Sequence, residues 1–313
     1  MNDKLEHLKK LLITASSLID NKKYDEAIQS LLAIESSFPN IANIRWLIGT
    51  AFTHKGNYFE AIKSYSDAFK LNANLPFIEF KKDNIEFQLS DIPGSNSCVI
   101  FLKELYDDIY GLRKLDLKPN EIVIDVGANI GSVSIFLAKK YPNQKILAFE
   151  PCKKTFQKLL KNLETNFVTN VEAFNYAVSG DGRDLTLLNS PTDSGMANAF
   201  LSTELKKRAI RDYGFTAEVV PSKTLDQIFL ENKIQECSFL KLDCEGAEFE
   251  IIKNTKVLDN VKNLAAELHI TSELGAPQPK SKEVSDAFWQ LIVNNCRFPP
   301  NLGIASIVHV AIE

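Results

Sequence analysis

An acid followed by two spaced glycines marks the first stretch of this chain that could do chemistry. Asp125 ends a β-branched apolar run over residues 122–124, and Gly127 and Gly131 follow it. Such a run suits a strand covered on both faces, glycines let backbone approach a ligand closely, and the next helix points its N-terminus at the same crevice. The stretch therefore predicts a nucleoside-binding turn in an α/β sheet.

A second acid, Glu150, ends the next apolar strand, 25 residues after Asp125. An acid at this distance from a glycine turn can accept both ribose hydroxyls of an adenosine. The alternative is an acid that stabilises the N-terminus of the following helix. The turn and Glu150 together favour the nucleoside site.

Three acids crowd a third strand end, in the segment SFLKLDCEGAEFEII over residues 238–252. Charge complementarity at a helix N-terminus is sufficient reason for Glu248, but it does not explain Asp243 on the strand side. In the next predicted strand, residues 263–270, Glu267 and His269 share one face by the period of two. Polar residues in a buried strand suggest a site.

The first 75 residues predict four amphipathic helices in which the second pair repeats the first. Ala27 recurs as Ala61, 34 residues later, with matching neighbours on both sides. This period resembles the tetratricopeptide family, and small residues such as Gly49 allow close helix crossing. A module of this kind either docks a protein partner or a second copy of the chain, or braces the catalytic body.

Composition places the chain among ordinary globular proteins. Its 313 residues are 45% hydrophobic and 24% charged, with a net charge of −4, which gives no general attraction to nucleic acid. No apolar run is long enough to span a membrane, so we expect no membrane insertion and a cytoplasmic protein. The five cysteines form no CxxC pair, which argues against a disulfide framework or a zinc site.

Residues from about 80 to 313 resemble the FkbM-type methyltransferases, a class I family that uses S-adenosylmethionine. The motifs that carry the resemblance are DVGANIG (125–131), FEP (149–151), AVS (177–179), TLD (224–226) and KLDCEGAE (241–248). The resemblance implies a Rossmann-like sheet of seven strands, the last two near residues 297–313. It also implies methyl transfer to oxygen of a sugar, glycan or related secondary metabolite.

A donor site and an acceptor site follow from these motifs. The residues expected to hold the methyl donor are Asp125, Gly127, Asn129, Gly131, Phe149, Glu150, Tyr176, Ala177 and Asp243. As the base for the acceptor hydroxyl we expect His269, oriented by Glu267 or Asp243, and then Asp243 itself. An alternative use of Asp243, Glu245 and His269 is to bind a divalent metal ion that orients a sugar diol.

Two other functions remain open from the sequence. An NAD-dependent oxidoreductase also has a glycine turn and a later acid, although Asn129 stands where its middle glycine would be. A non-catalytic scaffold would act through the helical repeats. The expected domains are the repeats at 1–75, a bridge at 76–120, with a strand at 85–89 and a helix from about 102 to 111, and a catalytic domain at 121–313.

Overall fold

The computed structural model describes residues 2–194, 197–198, 203–271, 281–295 and 303–312. The chain forms two compact units, Met1–Tyr106 and Asp107–Glu313. The division falls inside the expected bridge, and the boundaries expected at residues 75 and 120 stay a prediction.

Four helices open the first unit: α1 (Asn2–Asp20), α2 (Tyr24–Ser37), α3 (Ala42–Lys55) and α4 (Tyr58–Leu71). Apolar positions three or four residues apart line one face of each helix, as amphipathic packing requires, and α1 to α3 share one aliphatic core. Gly49 lets α3 and α4 approach, since a Cβ there would lie 2.7 Å from the ring of Tyr65. The N-terminal four-helix region is confirmed, whereas its assignment to the tetratricopeptide family stays a prediction.

The rest of the first unit is a hairpin and a helix. The strands β1 (Ile78–Lys82) and β2 (Ile85–Leu89) pair antiparallel, so the strand expected at 85–89 is confirmed. Helix α5 (Ser97–Asp107) lies earlier than the helix expected from about 102 to 111. The Asp91 carboxylate accepts the N–H of Cys98 at 2.8 Å, which caps the early start. The left-handed φ of 57° at Asp108 ends the helix.

The second unit alternates strands and helices. Its helices are α6 (Ser132–Lys140), α7 (Lys153–Thr165), α8 (Thr203–Tyr213), α9 (Leu225–Glu231), α10 (Glu248–Asn254) and α11 (Ser281–Asn295). Its strands are β3 (Ile122–Val126), β4 (Lys145–Phe149), β5 (Val171–Phe174), β6 (Ala177–Val178), β7 (Leu185–Asn189), β8 (Ala197–Asn198), β9 (Thr216–Val220), β10 (Ser222–Lys223), β11 (Phe239–Leu242), β12 (Asn263–Thr271) and β13 (Gly303–Ile312). This is an α/β unit.

The main sheet has the spatial order β13, β12, β11, β3, β4, β5, and every neighbouring pair is parallel. All four residues of β11 are buried, as are the last four of β3 and of β4. A parallel sheet with both faces covered needs such continuous apolar strands. From β3 the chain adds β4 and β5 on one side of the sheet, and it later adds β11, β12 and β13 on the other side. The strand order therefore reverses between β3 and β11.

Two expectations about strands are corrected. We expected seven strands in the sheet, the last two within 297–313, but the described residues there form one ten-residue strand, β13, paired along all of β12. Residues 297–302 lie outside the described residues. The strand expected over 171–179 divides into β5 and β6, and β6 pairs with β10 outside the main sheet. The side chain of Asn175 donates to the carbonyls of Glu150 and Pro151, each at 2.9 Å, and so turns the chain between the two strands.

Within the described ranges, no helix combines the length and the apolar character that a membrane crossing requires.

Candidate active site

The glycine turn and the third acidic strand end meet where the strand order reverses. Strands β3 and β11 are neighbours in register, with Asp125 opposite Lys241. Gly127, at a φ of +76°, lies directly against the other strand end, since a Cβ on it would be 1.6 Å from the carbonyl oxygen of Asp243. Only glycine allows both this conformation and this approach. Ligands of open α/β sheets bind at such a reversal, beyond the carboxyl ends of the strands.

A buried lysine, Lys241, connects the two strand ends. Its ammonium group donates to the carbonyl oxygen of Gly127 at 3.0 Å and lies 3.3 Å from Asp125 Oδ1 and 3.1 Å from Asp243 Oδ2. Burial would lower the pKa of Lys241, but the charges of the two aspartates outweigh burial and raise it. The sequence analysis assigned no role to Lys241, although a lysine inside a buried apolar strand was a signal for one.

Asp125 forms one hydrogen bond within the protein, through Oδ2, whereas its buried Oδ1 has no hydrogen-bond partner among the described residues. Its side chain is fully buried, and Oδ2 accepts the hydroxyl of Ser134 on α6 at 2.6 Å, while Oδ1 faces Lys241. These contacts position the turn between β3 and α6. The expected place of Asp125 in the donor site stays a prediction.

Glu150 lies beside the same turn, at the end of β4. One of its carboxylate oxygens accepts the backbone N–H of Asn129 at 3.0 Å, and the other accepts the N–H of Cys152 at 2.8 Å. Burial raises the pKa of Glu150 to about 7 despite these two hydrogen bonds. Each oxygen keeps a second lone pair, which is what a ribose diol requires of an acceptor.

The other expected donor residues do not all join this group. A Cβ on Gly131 would lie 2.5 Å from Leu159, so Gly131 serves the packing of α6 on α7. Phe149 is fully buried and stacks on Phe174, with ring centroids 5.1 Å apart. Tyr176 contacts Phe149 at 5.3 Å, whereas Ala177 packs in a separate small apolar cluster. Their place beside an adenine stays a prediction.

Tyr110 lies within hydrogen-bond distance of two acids near Lys241. The sequence did not indicate a role for it. Its hydroxyl lies 2.9 Å from Asp243 Oδ2 and 3.1 Å from Glu267 Oε2. A phenol has one proton and can donate to only one of them. Burial and the charge of Asp243 raise the pKa of Glu267, whereas Lys241 and His269 outweigh the burial of Asp243 and lower its pKa. This favours Asp243 as the ionised acid that accepts the proton of Tyr110.

His269 lies near Asp243 but takes a different partner from the one expected. Its Nδ1 bonds to the buried carboxylate of Glu248 at 3.0 Å, so neither Glu267 nor Asp243 orients it. Nε2 lies 3.9 Å from Asp243 Oδ1 and 3.8 Å from Glu245 Oε1. Burial would lower the pKa of His269, but the hydrogen bond with Glu248 and the surrounding carboxylates outweigh it and raise the pKa to about 10. His269 is therefore a cation at neutral pH.

Glu245 completes the turn between β11 and α10. It adopts a left-handed φ of 59°, and burial raises its pKa to about 8. In the part of the chain that is described, no three His, Cys, Asp or Glu side chains are arranged to hold a metal ion. The alternative metal set of Asp243, Glu245 and His269 is therefore not among such groups in the described residues. The ammonium group of Lys241 and the imidazolium of His269 already supply the positive charge that these carboxylates need.

Residues 125–298 match the model of the methyltransferase FkbM domain. The match covers more than half of the chain, from the acid of the glycine turn to the segment after α11. The chain belongs to this family. The resemblance noted in the sequence is confirmed over residues 125–298, and so is S-adenosyl-L-methionine as the methyl donor of the FkbM domain. Strand order and family agree on a class I methyltransferase-like α/β fold.

Three relatives illustrate the proteins to which this chain is similar. Methyltransferase sdnD of Sordaria araneosa is 31% identical over 48% of this chain and 66% of its own length. Methyltransferase 1 of Beauveria bassiana is 27% identical over 58% of this chain and 78% of its own length. The 31-O-demethyl-FK506 methyltransferase FkbM of Streptomyces tacrolimicus is 25% identical over 53% of this chain and 73% of its own length. The chain thus spans somewhat less than two thirds of the Sordaria protein and more of the other two.

The tight approach at Gly127 predicts a large effect of one methyl group. In Gly127→Ala the left-handed backbone is strained and the new Cβ clashes with the Asp243 carbonyl, so the free energy of unfolding should fall by roughly 3 kcal/mol or more. Binding of S-adenosylhomocysteine, measured by calorimetry, should be lost. The control is Gly214→Ala, at a φ of +69° with no atom within 4 Å, which should lose only about 1 kcal/mol. Equal losses in chemical denaturation would contradict the close approach.

Glu248 should control the protonation of His269. In Glu248→Gln the pKa of His269 should fall from about 10 toward its ordinary value of 6.5, observed by NMR titration of the imidazole. The control Glu250→Gln lies on the same helix but pairs with Arg183. The sign for stability follows from the raised pKa: the contribution of His269 is complete below 6.5 and is lost as the pH rises through 10. The melting temperature of Glu248→Gln should therefore depend less on pH across that window, and an unchanged dependence would refute the pairing.

Proposed function

We propose that the protein transfers a methyl group from S-adenosylmethionine to a hydroxyl oxygen of a sugar, a glycan or a related secondary metabolite. The observation that carries this proposal is the meeting of the glycine turn with Asp243 where the strand order reverses, because Gly127 touches the residue that follows β11. A donor seated on the turn and an acceptor beside Asp243 would then be neighbours. The family assignment decides against the alternatives of an NAD-dependent oxidoreductase and a non-catalytic scaffold.

The residues at the turn suit the donor. Glu150 is a buried acid with a free lone pair on each oxygen, suited to the ribose hydroxyls. Gly127 and Asn129, both at positive φ, bring backbone close to the place where the methionine end would lie. Asp243 has a lowered pKa and keeps 22% of its side chain exposed, so it offers negative charge to a sulfonium cation.

The chemistry requires a base and an in-line approach. When bound, S-adenosylmethionine supplies the methyl group: the carbon–sulfur bond breaks, its electron pair goes to sulfur, and the carbon–oxygen bond forms. The chain must align the acceptor and take up its proton. A protonated His269 cannot accept that proton, whereas Asp243, ionised and partly exposed, can. We therefore assign the base to Asp243 and to His269 a charge that holds Asp243 and Glu245 in place.

The acceptor class rests on chemistry and on relatives. One relative is named as a methyltransferase of 31-O-demethyl-FK506, a compound that offers an oxygen for methylation. The cations beside the acids, Lys241 and His269, are both buried and paired with carboxylates. An uncharged small-molecule hydroxyl therefore fits this end of the sheet better than an anionic group does.

For the first unit we propose a tetratricopeptide-like module. What supports it is the shared burial of Ala27 and Ala61, 34 residues apart, each on the second helix of its pair. Such a module would bind a protein partner or a second copy of the chain. Two further expectations stay predictions: that the acceptor is a glycan and that the protein is cytoplasmic. The proposed reaction requires neither nucleic acid nor membrane insertion.

Ligand-dependent stability tests the donor. S-adenosylhomocysteine at a hundredfold its dissociation constant should add about 2.7 kcal/mol to the free energy of unfolding and raise the melting temperature, whereas NAD should leave it unchanged. Differential scanning calorimetry measures both. A shift with NAD and none with S-adenosylhomocysteine would overturn the proposal.

Replacement of Asp243 tests its proposed role as the base. The acceptor is first found by mass spectrometry, from the mass gained when metabolite and glycan extracts receive isotope-labelled methyl groups. With that acceptor, Asp243→Asn should lower kcat by about 10²- to 10⁴-fold, because the proton has no acceptor. The control Asp226→Asn changes a carboxylate that bonds to Thr255 instead. Normal turnover by Asp243→Asn would refute the base assignment.

A further inference from the structure

A short loop after β7, residues 190–194, lies against the glycine turn. The side-chain amide of Asn129 donates through Nδ2 to the carbonyl oxygen of Ser194 at 2.8 Å. The ammonium group of Lys154 donates to the carbonyl oxygen of Pro191 at 3.1 Å. Ser194 is 2% exposed, so the end of the loop at Asn129 is buried. Two side chains from the donor region thus hold a loop from a different part of the chain.

The loop extends from one side of Glu150 to the other. It begins after β7, whose Leu185 and Leu187 share an apolar cluster with Cys152. It reaches Asn129 at Ser194. Cys152 and Asn129 are the two residues whose backbone N–H groups donate to Glu150. The loop therefore connects the two donors of the acid that we assign to the ribose.

Asn129 forms a hydrogen bond with its backbone N–H and with each polar atom of its side chain. Its backbone N–H bonds to Glu150 at 3.0 Å, its Oδ1 accepts the N–H of Ile130 at 2.8 Å, and its Nδ2 holds the loop. Its φ is 49°, a left-handed conformation that asparagine tolerates better than most residues. The contact with Ile130 sets the direction of the amide. A shift of the loop would therefore be transmitted to Glu150 through Asn129.

We propose that residues 190–194 form a wall of the donor site and that Asn129 is a positioning residue. Its side-chain amide holds this wall beside Glu150 and slows the release of the bound nucleoside. The inference rests on the proposed function only in taking the donor to be S-adenosylmethionine. Asn129 thus acts through the loop, in addition to the part its backbone takes in the turn.

The isosteric variant Asn129→Asp tests the tether. It keeps Oδ1 for the N–H of Ile130 and tolerates the positive φ, but it sets a carboxylate oxygen against the Ser194 carbonyl. S-adenosylhomocysteine should dissociate about tenfold faster in stopped-flow measurements, the factor that corresponds to about 1.4 kcal/mol. Hydrogen exchange should show that this nucleoside protects the amides of residues 190–194 in the wild-type protein but not in the variant. A residue that only supports the fold would lower the melting temperature without this change in release rate.

The control is Asn232→Asp, which also removes one bond from an asparagine Nδ2 to a carbonyl, that of Ile228, but at the end of α9. It should leave the dissociation rate unchanged. Equal dissociation from Asn129→Asp and the wild-type protein, or equal acceleration in both variants, would overturn the proposal. If Asn129→Asp does not fold, Lys154→Met removes the other tether and should accelerate release about threefold, and no acceleration would count against the wall. A wild-type protein that binds no S-adenosylhomocysteine would instead refute the proposed function.

Discussion

The arrangement of this site depends on the contacts of one buried ammonium group, that of Lys241. It lies 2% exposed between two strand ends that each carry an aspartate, and its three partners are Asp125, Asp243 and the carbonyl of Gly127. Without it, two carboxylates would face each other across the reversal point with no charge between them, at a cost of several kcal/mol. Because the lysine is held by both strands, the turn of one and the acid of the other keep a fixed spacing.

The acids around Lys241 differ in the direction in which their surroundings shift their pKa values. Asp243 has a lowered pKa, whereas burial raises the pKa values of Glu150, Glu245 and Glu267. Neighbouring carboxyl groups with different protonation states are how one site can accept protons at one atom and donate them at another. Tyr110 joins a carboxyl group whose pKa is lowered to one whose pKa is raised, and His269 carries the second positive charge. Asp243 thus keeps its negative charge, and the raised pKa values of its neighbours reduce the repulsion that several ionised acids would cause.

The glycine turn and Tyr110 lie in different parts of the chain. The donor turn, Glu150 and Asp243 lie inside the family match over residues 125–298, and the sequence indicated all of them. Tyr110 lies before that match, in a segment held by side chains from the end of α6 and the loop after it: Lys140 donates to Leu112, and Gln144 to Lys118. The family domain alone therefore does not contain every residue that contacts Asp243.

The sequence by itself determined the α/β class, the four N-terminal helices and the glycine turn, because each depends on local spacing: apolar period, glycine position, or an acid at a strand end. The methyl donor followed from the resemblance to the FkbM family. Only the tertiary structure decided which groups meet across the strands. It paired His269 with Glu248, which turned an expected base into a cation, and it placed Lys241 and Tyr110 on Asp243. These contacts join residues up to 133 positions apart, and their charges follow from burial, which no local pattern records.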